Sequence, residues 1–105
     1  MLAAGARVNS NAHWGHTPLH TAVATGNLTM VQNVLGEGGQ VKVKDRLGRT
    51  PLHWAAEKGH LKIAKFLILK GSDINARDNE GETPMHDAAQ KDNQDIIELL
   101  ISKKH

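Results

Sequence analysis

Histidine is the residue type in this sequence best suited to chemistry, because its ring binds metal ions and exchanges protons near neutral pH. The chain has seven histidines, of which His13, His16 and His20 lie closest together. Two histidines four residues apart can bind zinc when both lie on one helical turn. Pro18 separates His16 from His20 and is expected to open a helix, which leaves His16 outside that turn. We therefore predict no metal site.

Acidic side chains form the second group that could act chemically. Glu80, Glu82 and Asp87 lie close together in the sequence, but no glycine-rich phosphate loop, G-x-S-x-G or H-E-x-x-H motif accompanies them. We interpret the three carboxylates as a solvated acidic surface without a pocket. The sequence thus predicts no catalytic residues, no cofactor and no small-molecule substrate.

Composition limits the fold that carries these residues. With 105 residues, the chain has room for one small domain. The absence of cysteine excludes a disulfide scaffold and suits a reducing compartment. Three residues are aromatic, so the core must consist mainly of Leu, Ile, Val and Ala. The longest apolar run, Phe66-Leu67-Ile68-Leu69, is too short for a membrane helix, and the first residues lack a signal-peptide pattern. We expect a cytoplasmic or nuclear protein.

The three prolines reveal an internal repeat. Each stands in the same kind of tetrapeptide at intervals of 33 residues: Thr17-Pro18-Leu19-His20, Thr50-Pro51-Leu52-His53 and Thr83-Pro84-Met85-His86. A period of this length with T-P-L-H marks a repeat architecture. It predicts one domain over residues 1–105, with a partial repeat at 1–11, repeats at 12–44 and 45–77, and a capping-like repeat at 78–105. We expect the chain to be a piece of a longer array, and a chain complete as given is the alternative.

The middle unit, Asp45 to Arg77, contains the pattern D-x-x-G-x-T-P-L-H-x-A-A-x-x-G-H-L. With this pattern the chain resembles the ankyrin-repeat family along essentially its whole length. The resemblance implies an all-α solenoid of stacked helix-turn-helix units joined by β-hairpin-like loops. It also implies a non-catalytic scaffold that binds a protein partner through the hairpin tips and the concave face of the first helices. The repeated histidines are implied to tie helices and loops together by hydrogen bonds.

Each repeated tetrapeptide is predicted to begin a helix. Threonine caps the helix with its hydroxyl, proline fits the first helical position, and histidine lies where a capping-box side chain reaches back. These structural-motif residues are Thr17, Pro18, His20, Thr50, Pro51, His53, Thr83, Pro84 and His86. The first helix of a repeat should end at Gly26 or Gly59, or at Asp92 in the third copy, and the second helix at Gly38 or Gly71.

The partner-binding residues also follow from the resemblance, because they occupy the hairpin tips and the first helices. They are His13, Trp14, His16, Arg46, Leu47, Arg49, Trp54, Lys58, Glu80 and Glu82. Trp14 lies at a predicted tip with no core to join, and tryptophan is enriched in binding hot spots. Trp54 is expected to pack partly between helices.

Charge divides the chain along its length. Residues 1–77 carry ten basic and four acidic side chains, whereas residues 78–105 carry three basic and seven acidic ones. We hypothesise a partner segment whose acidic part contacts the second repeat and whose basic part contacts the third. The alternatives are a structural spacer within a larger protein and a weak nucleic-acid contact through the basic middle repeat. We expect a monomer that does not bind membranes, with nucleic acid the less favoured partner.

The turn that ends the middle repeat contains a candidate modification site. The segment around Asp73-Ile74-Asn75-Ala76 resembles the ankyrin segment that a cytosolic asparaginyl hydroxylase modifies, which makes Asn75 the candidate. Hydrogen bonding within the turn is the favoured role for this side chain.

The first complete repeat departs most from the family pattern. Asn33 stands where Phe66 and Leu99 stand in the later copies, and Gly36 and Gly39 flank a further glycine. Glycine within a helix costs about 0.5–1 kcal/mol relative to alanine, because it loses more backbone entropy on folding. We predict that the second helix of this repeat frays over residues 34–39.

Overall fold

The computed structural model describes residues 18–103, and this part of the chain forms six α-helices and no strand. The helices are α1 (Pro18–Thr25), α2 (Leu28–Gly36), α3 (Pro51–Lys58), α4 (Leu61–Leu69), α5 (Pro84–Gln90) and α6 (Gln94–Ser102). They make three helix pairs, α1–α2, α3–α4 and α5–α6, whose first members begin 33 residues apart. The prediction of an all-α stack of helix-turn-helix units is confirmed.

Each first helix begins at a repeated proline, as the sequence predicts. Thr50 caps α3, and its backbone N–H donates a hydrogen bond to Nδ1 of His53 at 3.0 Å. The backbone N–H of Thr83 makes the same bond to Nδ1 of His86 at 2.9 Å before α5. Because a backbone N–H can only donate, Nδ1 of each ring is an acceptor, and the neutral ring carries its proton on Nε2.

The short first helices end in left-handed residues. Gly26 and Gly59 have φ angles of 76° and 75°, and Asp92 takes the same conformation at 58° in the third pair. The predicted ends at Gly26 and Gly59 are confirmed, whereas α5 ends at Gln90, two residues before the predicted Asp92. The second helices end earlier than predicted, at Gly36 and Leu69, because the two residues after each belong to the closing turn.

The helices pack in two layers, with α1, α3 and α5 side by side in one and α2, α4 and α6 in the other. Ala22, Ala55 and Ala88 are fully buried in the first layer, where their small side chains let neighbouring helices approach closely. Large aliphatic residues such as Leu52 and Leu67 fill the space between the layers. Among residues 18–103, every fully buried apolar side chain is aliphatic, as the composition predicts.

Buried histidines connect α1 and α3 to the loop that follows each of them in the stack. Nε2 of His20 lies 2.8 Å from the carbonyl oxygen of Arg49, and Nε2 of His53 lies 2.9 Å from that of Glu82. Since a carbonyl oxygen only accepts, the imidazole must donate in both bonds. These bonds fix the loops before α3 and α5 against the preceding helix pair. No helix between residues 18 and 103 has the length and the apolar run needed to cross a bilayer.

Candidate functional site

Aspartate side chains shape the two loop tips that precede α3 and α5. Oδ1 of Asp45 accepts hydrogen bonds from the backbone N–H groups of Leu47 and Arg49, each at 2.9 Å. Oδ1 of Asp78 accepts the equivalent bonds from Glu80 and Glu82, also at 2.9 Å. Such turns use the short carboxylate to replace backbone partners. The tips, defined as residues 45–49 and 78–82, are therefore rigid platforms for the side chains they carry.

The two tips are also bonded to each other. The backbone N–H of Asn79 donates to the carbonyl oxygen of Leu47 at 2.9 Å, and its Nδ2 donates to that of Arg46 at 3.0 Å. These bonds hold equivalent positions of the two tips at a constant spacing. Side chains on successive tips therefore form one continuous surface.

A cavity of about 460 Å³ lies between the tips and the helices α3 and α5, and we call it the inner groove. It brings together four of the predicted binding residues, which are Leu47, Arg49, Glu80 and Glu82. Its remaining lining residues are Glu57, Asp78, Asn79, Asp87, Gln90 and Lys91. Leu47 stands at the tip with 58% of its surface exposed.

Arg49 lies inside the groove wall, although we expected a cation at an exposed tip. Its Nη2 forms ion pairs with Glu57 and with Asp87, the latter at 3.3 Å, and its side chain is 14% exposed. The guanidinium carbon lies 5.0 Å from the ring centroid of Trp54. Burial opposes the charged form of Arg49, but hydrogen bonding and attraction from both carboxylates raise its pKa above the ordinary value.

Asp87 corrects the interpretation of the three carboxylates as a solvated surface without a pocket. Asp87 is 6% exposed, and it lines the inner groove together with Glu80 and Glu82. Burial raises the pKa of Asp87 above its ordinary value, and attraction by Arg49 and His53 offsets only part of this effect. Asp87 follows Trp54 by one repeat period, so this position faces the loop tips in both repeats.

Trp54 is partly buried against the core, in line with the expected packing between helices. Its indole Nε1 donates a hydrogen bond to Oδ2 of Asp45 at 3.0 Å. The exposed Lys58 also contacts this ring, with its ammonium nitrogen 5.8 Å from the centroid. Trp54 thus supports the first tip through its bond to Asp45. Arg49 and Lys58 both lie near the face of the indole ring.

The carboxylates of Asp78, Glu80 and Glu82 lie within 4.8 Å of one another at the second tip. The turn explains their proximity, because Asp78 accepts two backbone hydrogen bonds there. Burial tends to raise the pKa of Asp78, but the bonds from Glu82 and Glu80 outweigh it and lower this pKa. The carboxylate of Glu82 also accepts a bond from the amide of Gln90 at 3.4 Å.

Sequence reasoning missed Asp78 and Asp87 as groove residues. The available signal was periodicity, since Asp78 follows Asp45 by 33 residues and Asp87 follows Trp54 by the same interval. Four predicted residues, His13, Trp14, His16 and Thr17, lie outside the described residues. Asn75 is exposed, and its backbone N–H donates to Asp73 at 2.9 Å. Its hydroxylation stays a prediction.

Comparison with protein-family models gives the class of this chain. The family model for ankyrin repeats in three copies matches residues 1–78. The family model for a single ankyrin repeat matches residues 80–105. The chain belongs to the ankyrin-repeat family. Ankyrin repeats are generally protein–protein interaction modules. A search of curated proteins finds no match. The predicted repeat boundaries at residues 11, 44 and 77 stay a prediction.

Proposed function

We propose that this chain is a non-catalytic module that binds a protein partner in the inner groove. The observation that carries the proposal is the exposed Leu47, an apolar side chain on a rigid tip at the edge of a polar cavity. Protein interfaces combine an apolar anchor with surrounding polar groups that fix the orientation of the partner. Arg46, Lys58, Glu80 and Glu82 belong to the same proposed contact surface. The proposal includes the cytoplasmic or nuclear location and the monomeric state expected from the sequence.

The rigidity of the groove supports this choice of surface. The Asp45 and Asp78 turns and the Asn79 bonds hold the tips in place before any partner arrives. A preorganised surface loses little conformational entropy on binding, so more of the contact energy appears as affinity. Because Arg49 is already paired with Glu57 and Asp87, it serves the surface by holding its wall together.

A capture experiment with a matched pair of variants tests the proposal. The chain is used as bait, bound proteins are identified by mass spectrometry, and each is then purified for affinity measurement. We expect Leu47→Ala to weaken a true partner about tenfold, which corresponds to about 1.4 kcal/mol. Leu69→Ala is the control, because Leu69 is 78% exposed but lies on α4, in the other layer.

Equal binding by both variants and the parent chain would remove the inner groove from the proposal. The two alternatives from the sequence predict different results. A structural spacer would bind no partner through Leu47 or through Leu69. A nucleic-acid contact would give affinity for random DNA that falls steeply with added salt.

A further inference from the structure

The inner groove carries an excess of negative charge next to its apolar edge. Five carboxylates line it, and two cations, Arg49 and Lys91, accompany them. Arg49 is shared between Glu57 and Asp87, so its charge is balanced within the wall. The other charged residues of the lining are Asp78, Glu80, Glu82 and the exposed Lys91, so three carboxylates outnumber one cation there. Leu47 supplies apolar surface at the first tip.

We infer that the partner fills the inner groove with an extended basic segment that carries one apolar side chain beside its arginine or lysine residues. This inference rests on the proposed function and names the class of partner for the same surface. It narrows the charge hypothesis made from the sequence, because the middle repeat presents no unpaired Arg49 to an acidic segment. Within the inner groove, the described residues complement the basic part of the hypothesised partner segment and not its acidic part.

The geometry of the second tip suits a guanidinium or ammonium group. The carboxylates of Asp78, Glu80 and Glu82 lie within 4.8 Å of one another, so a single cationic side chain can contact more than one of them. Charge-assisted hydrogen bonds of this kind are shorter and stronger than neutral ones, and arginine can make two in parallel. A phosphate backbone or an acidic peptide would instead meet repulsion from the same groups.

The shape of the groove favours an extended segment over a folded surface. Its walls are the two tips on one side and α3 and α5 on the other, and its volume of about 460 Å³ holds a few side chains. Leu47 lies on the first tip, and Glu80 and Glu82 lie on the second, so an apolar residue and a basic residue of one segment can be contacted together.

Fluorescence anisotropy with a labelled peptide tests this inference. The probe is a short unstructured peptide in which arginines flank one leucine, and the comparison peptide has glutamates in place of the arginines. We expect the basic peptide to bind and the acidic peptide not to bind. Binding of the basic peptide should weaken at least about tenfold in the double variant Glu80→Gln, Glu82→Gln, and it should weaken further as salt is added.

The control is the double variant Glu37→Gln, Glu98→Gln, which removes the same charge from two exposed residues outside the groove. We expect this control to bind the basic peptide within about twofold of the parent chain, because charges beyond a Debye length are screened. Equal weakening in both double variants would show that only net charge matters and would overturn the inference. Failure of the basic peptide to bind at low salt, or binding of the acidic peptide, would also overturn it.

A partner found by capture separates this inference from the proposed function. If that partner depends on Leu47 but not on Glu80 and Glu82, the groove is a binding surface and the basic class of partner is wrong. If the binding of that partner depends on none of the three residues, the proposed function of the inner groove is wrong. Unfolding curves of each variant confirm that changes in binding are not changes in folding.

Discussion

Arg49, on the tip before α3, is paired with Asp87 in α5, with 3.3 Å between Nη2 and Oδ2. Asp87 follows Trp54 by one repeat period, and the guanidinium of Arg49 also lies 5.0 Å from the ring of Trp54. One side chain thus contacts equivalent positions of two successive repeats. It connects the second helix pair to the third at the surface where we propose that the partner binds.

Replacing Arg49 should weaken the stack. We expect Arg49→Gln to lower the free energy of unfolding by about 1–3 kcal/mol, because Asp87 stays buried without its charged partner. Urea denaturation measures the effect. Arg46→Gln is the control, since Arg46 is exposed at the same tip, and it should change stability by no more than about 0.5 kcal/mol. Equal losses in the two variants would mean that the Arg49 pairs contribute no stability.

Asp87 should make the protein less stable as pH rises. Burial raises its pKa in the folded chain above the unfolded value of 3.8, so the folded state binds the proton more tightly. Its contribution to stability is therefore fully present below pH 3.8 and is lost as pH rises through the folded pKa. We expect Asp87→Asn to gain stability relative to the parent chain between about pH 4 and about pH 7. A constant difference across this range would contradict the prediction.

Asp78 should act in the opposite direction. Backbone hydrogen bonds from Glu82 and Glu80 lower its pKa below 3.8 despite the opposing effect of burial. Its contribution is present above the unfolded pKa and is lost as pH falls through the folded pKa. Acid unfolding of Asp78→Asn, followed by circular dichroism, should show a smaller stability loss below about pH 4 than the parent chain shows. The asparagine oxygen can keep the turn, which limits the change to the charge.

The two capping histidines should differ in their effect on stability. His53 is buried and bonds both the backbone N–H of Thr50 and the carbonyl oxygen of Glu82, so His53→Ala should cost about 1–3 kcal/mol. His86 is exposed and bonds the backbone N–H of Thr83, so His86→Ala should cost no more than about 1 kcal/mol. Thermal unfolding of both variants gives the comparison. A larger loss for His86 would contradict the prediction that the additional link from His53 to the next loop adds stability.

Helix α2 should be less protected than α4. The structure extends α2 to Gly36, and the N–H of Gly39 then bonds the carbonyl oxygen of Val34 at 3.0 Å. The cluster of glycines lowers the free energy needed to open this turn locally. We expect amide hydrogens of residues 34–39 to exchange faster than those of residues 66–71. Equal protection in the two segments would contradict the prediction of fraying.

Local chemistry made most of the fold predictable. Proline after threonine favours the start of a helix, and Gly26 and Gly59 suit left-handed ends that few other residues adopt. Asp92 is also left-handed, but the helix before it ends two residues earlier, at Gln90. The exact length of the second helices was less predictable, because closing turns use the last helical carbonyls and shift the boundary by two residues.

The groove was less predictable, because it depends on contacts between distant residues. Arg49 and Asp87 are 38 residues apart, and their pairing depends on how closely α3 and α5 stack. A tip position alone suggested a free cation at Arg49. Only the three-dimensional arrangement shows that two carboxylates reach the same guanidinium, and that Leu47 remains exposed beside them.

The histidine links have a consequence for how such a surface can vary. His20 and His53 bond main-chain oxygens, at Arg49 and at Glu82, and these two side chains have opposite charge. Because each histidine bonds a backbone oxygen, this link between helix pairs does not depend on which side chain occupies the acceptor position. The backbone links therefore permit either charge at these two positions, although a change from cation to anion at Arg49 would also break its ion pairs with Glu57 and Asp87.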